Sequence, residues 1–254
     1  LINRCFYVGH KYPINTGQVP EWYDWRDFNM VSPVKDQSTC TACWAFSIIA
    51  NIESHIKIYR GIEETLSEQF LIDCNPAAIN GGCSAASTLQ TFGYIVGTVG
   101  GVLRNSDYYP YEGQPNNCRY KKPTEFDANV LPARGPLPVP VVGFRRVRAN
   151  EQEIAEYVYK YGPLTAGITS DSMAKYKGGI DQPTVGSCDP KKQDHSVLIV
   201  GYDVYESPDG DVKIPYWIIK NSWGSNWGDD GYYYLERGRN ACGIANEVAF
   251  PFVN

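Results

Sequence analysis

The chain has 254 residues, 43% of them hydrophobic and 13% aromatic, with a formal net charge of −5. That length suffices for a real core in one large domain or two small ones. The acidic balance, with no basic run of five or more, argues against nucleic acid, and no apolar stretch approaches the ~18 residues that would span a membrane. Eight cysteines favour an oxidising compartment, meaning secreted, lysosomal or vacuolar. No Asn-x-Ser/Thr sequon is present, so N-glycosylation is not expected. With neither an initiator Met nor a signal peptide, the chain reads as a processed product.

Residues 1–18 are polar and turn-forming without a sustained period, and read as an N-terminal extension or propeptide remnant. From Cys43 an apolar-rich run through Ile48, Ile49, Ile52 and Ile56 to Tyr59 predicts a largely buried helix that Gly61 stops. Asn51, Glu53, Ser54 and Lys57 are expected on one wetter face. Cys43 then sits at a helix start, where unpaired N–H groups and the macrodipole favour a thiolate. Thr65-Leu66-Ser67-Glu68 fits a capping box for a short helix reaching Cys74, and residues 84–96 predict a third helix ended by Gly97.

The proline-rich stretch 131–140 can be neither helix nor central strand and is the best linker candidate. Asn150-Glu151-Gln152-Glu153 caps one more helix, running through Tyr159 to Gly162. Strands follow at Leu164–Ile168, Ser196–Tyr205, Val212–Lys220 and Gly231–Leu235. Helices first and strands later predict an α+β fold with two lobes.

Three stretches carry a family resemblance: Gln37-Ser38-Thr39-Cys40-Thr41-Ala42-Cys43-Trp44, Asp194-His195-Ser196-Val197 and Asn221-Ser222-Trp223-Gly224. With Val19 to Arg26, which looks like the start of a mature domain, they resemble the papain-like (cathepsin L-type) cysteine proteases over roughly residues 19–254. The resemblance implies a helical lobe over about 19–130, a β-barrel-like lobe over about 131–254 and an active-site cleft between them. It implies an endopeptidase working through an acyl-enzyme: Cys43 as nucleophile, His195 as base and imidazolium partner, Asn221 as orienter, and Gln37 with the Cys43 N–H as oxyanion hole. Trp223 would cover the His195–Asn221 bond, with Asp194 beside it. Neither cofactor nor metal is implied. The expected partners are polypeptide substrates, the chain's own propeptide and cystatin-type inhibitors, acting on a monomer.

The same pattern pairs Cys40 with Cys83, Cys74 with Cys118 and Cys188 with Cys242. Anchoring instead on Asn80-Gly81-Gly82 would displace the first pair, but spacing around Phe92, Tyr94 and Gly100-Gly101 favours Cys83. Cys5 is left over: free, removed, bridged to another chain or bonded to Cys43. Five residues beyond Cys242 stands Glu247, at the position that forms the bottom of the S2 pocket in this family. A carboxylate there implies acceptance of Arg at P2. An apolar P2 side chain would require Glu247 to swing to solvent or take up a proton. A one-residue shift would put Asn246 or Val248 there instead.

Two rivals stand against this reading. Cys40-x-x-Cys43 is formally a redox spacing, though its aromatic follows the pair and no repeated βαβ pattern surrounds it; zinc binding lacks a second cysteine or Cys/His cluster. A catalytically weak or inactive binding homologue is the other, since Thr41 replaces a family glycine. Ser84-Ala85-Ala86, with Ala86 at the cleft, also stands where Asn-Gly-Gly is usual. A β-branched residue disfavours positive φ.

Overall fold

The computed structural model describes residues 13–76, 82–121 and 136–253. The first half holds strand β1 (Tyr23–Asp24), helices α1 (Cys43–Arg60), α2 (Glu68–Cys74) and α3 (Thr88–Tyr94), then strand β2 (Gly101–Val102). Strand β3 (Val139–Val147), helix α4 (Glu151–Tyr161) and strands β4 (Leu164–Ile168) and β5 (Ile180–Asp181) open the second half. It is completed by β6 (His195–Glu206), β7 (Lys213–Lys220), β8 (Tyr232–Glu236) and β9 (Val248–Val253). One sheet runs β2-β3-β9-β4-β6-β7-β8-β5, with β1 added along β6. Only the β5–β8 pair is parallel among these. The architecture is α+β.

Local chemistry sets most boundaries. α1 stops at Gly61, whose φ of 65° is left-handed and whose N–H reaches Lys57 O. Asn150 caps α4 by accepting the Glu153 N–H at 2.9 Å. The α2 cap differs from the expected box: Ser67 rather than Thr65 is the N-cap and accepts the Phe70 N–H (3.0 Å), while Leu66 N donates to Glu53 Oε1 (3.0 Å). α3 starts at Thr88, capped by Ser87, rather than at residue 84. It runs on as a π-helical turn over Ile95–Val99, past Gly97, and ends at the left-handed Gly100 (φ 91°). β3 and β9 escape a sequence reading because each holds a proline, Pro140 and Pro251. β3 begins inside the supposed linker, of which residues 131–135 lie outside the described residues, as do Cys5 and residues 1–12. Of the extension, Ile14 and Asn15 donate backbone N–H groups to Lys160 O at the end of α4 (2.8 and 3.3 Å).

The expected wetter face of α1 is confined to its end, where Lys57 is half-buried and Arg60 exposed. Every residue from Cys43 to Ile56 is buried, Asn51, Glu53 and Ser54 included. Its polar side chains instead meet partners far along the chain. Ser47 donates to Val197 O (2.6 Å), Asn51 to Thr165 Oγ1 (2.9 Å) and Ala249 O (3.1 Å), and His55 Nε2 to Pro163 O (2.9 Å). Residues 47, 51 and 55 form one i, i+4, i+8 row, so a single polar stripe docks the helix on the sheet. On another side, Glu53 accepts from Lys35 Nζ (2.9 Å) and Ser32 Oγ (2.6 Å), while Lys35 also bonds Glu68 (2.6 Å).

One apolar core fills the space among α4, β4 and β6–β8, with Val158, Ile199, Trp217 and Tyr233. A second surrounds α1, α2 and α3, with Trp44, Ile48, Ile52, Phe70 and Phe92. The chain ends cross between them: Trp25 joins the strand core, while Val139, Val141, Ala249 and Val253 join the helical one.

His55 is fully buried, with the Tyr59 and Phe250 rings stacked on it and Nδ1 unpartnered among the described residues. Burial pushes its pKa down to about 4, opposed by the Pro163 hydrogen bond. Its contribution is complete above pH ~6.5, where folded and unfolded chains are both neutral. As pH falls toward 4 only the unfolded chain takes up the proton, and roughly 2–3 kcal/mol is lost. In a Cys43→Ala background, urea unfolding at pH 7 and 4.5 should show a larger acid loss for the parent than for His55→Gln. Equal losses would remove His55 as the cause.

Candidate active site

Cys43 is the first residue of α1, 4% exposed, and the preceding Ala42 supplies no side-chain cap. The N–H groups of Ala45 and Phe46 go to Ala42 O (2.9 and 3.2 Å), and the Trp44 N–H is the one of this turn that acts on the thiol. His195 opens β6 at 7% exposure, opposite Ile168 of β4. Asn221 follows the last residue of β7, and its Oδ1 lies 2.8 Å from His195 Nε2. Asn Oδ1 is only an acceptor, so Nε2 carries the proton and Nδ1 is left to exchange one. The Trp223 ring lies against the imidazole (centroids 4.8 Å apart), itself held edge-on by Trp227 (5.0 Å). The sequence-predicted base, orienter and cover residue are together.

Burial pushes the Cys43 thiol up; the backbone N–H groups of Ser196 and Trp44 and the Ser196 hydroxyl act against this, while the Asp194 carboxylate adds to it. Burial likewise pushes the His195 imidazole down, with the Asn221 hydrogen bond and Asp194 opposing. The helix start alone therefore does not deliver a thiolate. Burial thus disfavours the charged form of each group.

Gln37 is held on three sides. Its N–H donates to Ser222 O (2.8 Å), its side-chain Oε1 accepts from Ser222 Oγ (2.7 Å), and Nε2 donates to Cys40 O (2.8 Å). The Tyr111 hydroxyl donates to the Gln37 carbonyl. An amide nitrogen has two hydrogens, and one of those on Nε2 is committed to Cys40 O. Ser222 and Tyr111 were not singled out in the sequence; Ser222 stands inside the quoted Asn221 motif, but nothing in the chain pointed to Tyr111.

Thr41 is exposed and its φ is not positive; the left-handed residue of that loop is Ser38 (φ 53°). Threonine in place of glycine thus brings no backbone strain. Ala86 is half-buried against the helical core, two residues before Thr88. Asp194 accepts the Ser170 N–H (2.8 Å). Among the three candidates near residue 247, Asn246 is engaged by Asn240 (2.9 Å) and Pro190 O (2.7 Å), and Val248 is fully buried. Glu247 accepts a hydrogen bond from the Thr88 hydroxyl, across from the strand core, and its backbone O receives Gly167 N (2.9 Å). Gly167 pairs with Ser196, the neighbour of His195, so Glu247 lies one ladder step from the His195 end of β6.

The disulfides are Cys40–Cys83, Cys74–Cys118 and Cys188–Cys242, leaving Cys43 as the free cysteine among the described residues. Cys40 is thus unavailable as a redox partner for Cys43.

Residues 19–252 match the family described as papain family cysteine protease. The chain belongs to that family. It is 36% identical over 237 residues to cathepsin F of Drosophila melanogaster (92% of this chain, 36% of that protein). To cysteine proteinase 15A of Pisum sativum it is 37% identical over 243 residues (92% of this chain, 62% of that protein). It spans only part of the length of both. The solved digestive procathepsin L2 of Tenebrio molitor superposes with a TM-score of 0.79 at 34% identity, over 94% of this chain and 70% of that one. The fold is that of the papain-like proteins.

If Gln37 supplies one of two oxyanion donors, Gln37→Ala should lower kcat for peptide hydrolysis on the order of 10²–10³. Iodoacetamide should still alkylate Cys43. Ser222→Ala, which loosens the amide without removing it, should cost less than Gln37→Ala. Wild-type kcat in Gln37→Ala would disprove the assignment.

Proposed function

We propose that this chain is a cysteine endopeptidase in which Cys43 attacks the scissile carbonyl and His195 first shares and then delivers the proton. The observation that carries this is the His195 Nε2–Asn221 Oδ1 bond of 2.8 Å under Trp223, beside a buried thiol at the start of α1. In the ground state the proton moves from Sγ to Nδ1. The thiolate forms a C–S bond, the carbonyl oxygen gathers charge toward the Cys43 N–H and Gln37 Nε2, and imidazolium protonates the leaving amine. Water, deprotonated by the same imidazole, then releases the acid product and regenerates the thiol.

Residues 19–254 form the peptidase domain in this proposal, as a helical lobe and a β lobe, with 1–18 as an extension. Its own propeptide and cystatin-type inhibitors compete with polypeptide substrates for the cleft of a monomer. Three disulfides support secretion or a lysosomal or vacuolar setting. Specificity is directed by S2, with Glu247 at its base. Asn246 and Val248 both being committed elsewhere supports that register.

Turnover of dipeptidyl-aminomethylcoumarin substrates, in the presence of a thiol reductant, should disappear in Cys43→Ala. Labelling of Cys43 by iodoacetamide should begin well below the ordinary thiol pKa of about 8.5. Turnover persisting in clean Cys43→Ala protein would sink the proposal. For S2, Glu247→Ala should lower kcat/KM for Arg at P2 far more than for Phe. Equal factors, or no change, would take Glu247 out of the pocket.

A further inference from the structure

The Thr88–Glu247 hydrogen bond is the feature no motif announces. Thr88 is the first residue of α3 and is buried (3% exposed), at the end of the short segment that follows the Cys40–Cys83 bridge. Glu247 precedes β9 on the opposite side. The hydroxyl donates to Oε1, so a neutral donor from the helical side fixes a carboxylate carried by the strand side. Among the described residues no Lys or Arg forms an ion pair with Glu247, and none hydrogen-bonds its Oε2. Arg146 bonds the neighbouring Asn246 carbonyl (3.4 Å) instead. A half-buried carboxylate with one neutral partner retains an unmet demand for a cation.

We propose that Thr88 is a positioning residue for P2 selection: it pins Glu247 inside the pocket, so that S2 stays an anionic site committed to a P2 side chain bearing a cationic hydrogen-bond donor. The proposal rests on Glu247 lining S2. It differs from a freely swinging glutamate, which would leave the pocket for Phe or Leu and make S2 permissive. Held by Thr88, Oε1 cannot follow water outward without breaking a charge-assisted bond. Oε2 remains for the substrate's guanidinium or ammonium. An apolar P2 side chain then has to displace the bond or sit against an ionised carboxylate, and both penalise it.

The test compares kcat/KM for substrates differing only in Arg or Leu at P2, in the wild type, Thr88→Val, Thr88→Ser, Glu247→Ala and the Thr88→Val/Glu247→Ala double variant. Valine keeps the volume and removes the hydroxyl; serine keeps the hydroxyl. The Arg:Leu ratio should fall about tenfold in Thr88→Val, the scale of one hydrogen bond to a charged group. Much of the fall should come from improved Leu turnover, which a damaged or partly unfolded enzyme would not show. Thr88→Ser should retain the ratio, and Thr88→Val should have no further effect on it once Glu247 is Ala. A wild-type ratio in Thr88→Val, alongside a lowered ratio in Glu247→Ala, would overturn the role of Thr88 and leave the S2 assignment standing. An unchanged ratio in Glu247→Ala would overturn the S2 assignment, and this inference with it.

Discussion

Everything at the cleft depends on one contact: the Ser47 hydroxyl on the Val197 carbonyl. Ser47 lies one turn beyond Cys43, and Val197 two residues beyond His195 on the same strand. A single buried hydrogen bond therefore registers the helix that carries the thiol against the strand that carries the imidazole. Asn51 and His55 extend the register down the helix, each to a carbonyl or hydroxyl of the strand lobe. A buried hydroxyl or amide without a partner costs about 1–3 kcal/mol, so sliding α1 by one residue would forfeit several such partners at once. The helix has no dry alternative position.

That rigidity bears on the electrostatics. Thiol and imidazole are both taken out of water, and burial opposes a charge on either. The groups that oppose this burial are prearranged: N–H groups of Trp44 and Ser196 at the sulfur, and Asn221 at the ring. Dipoles already aimed at a group need little reorganisation if that group becomes charged. Gln37 follows the same logic. Its side-chain amide is clamped by Ser222 Oγ and Cys40 O.

Much of this was legible from the chain, for reasons that differ by residue. Gly61 and Asn150 act within a few residues of themselves, so a helix stop and a cap can be read directly. Cys43, His195, Asn221 and Gln37 stood in short motifs whose residue types already constrain the chemistry. Asn51 and Ser54 looked like surface because polarity in a helix usually means water. Asn51 has its partners 114 and 198 residues away, which no local pattern shows. Thr88 was invisible for the same reason, at a separation of 159 from Glu247. β3 and β9 were hidden by Pro140 and Pro251, since proline argues against a strand until a neighbouring strand is known to tolerate it.

The crossing of the chain ends between the two cores has a consequence for synthesis on the ribosome. The helical core is sealed by Ala249 and Val253, almost 200 residues after α1 has emerged, and the strand core takes in Trp25 from before α1. Neither half can complete its interior while the other is missing. The nascent chain must carry Ile48, Ile52 and Phe70 uncovered on at least one side until β9 is made, and long-range closure of this kind is slow. Lobe-by-lobe closure is thereby disfavoured, because each interior waits for residues from the far side of the chain.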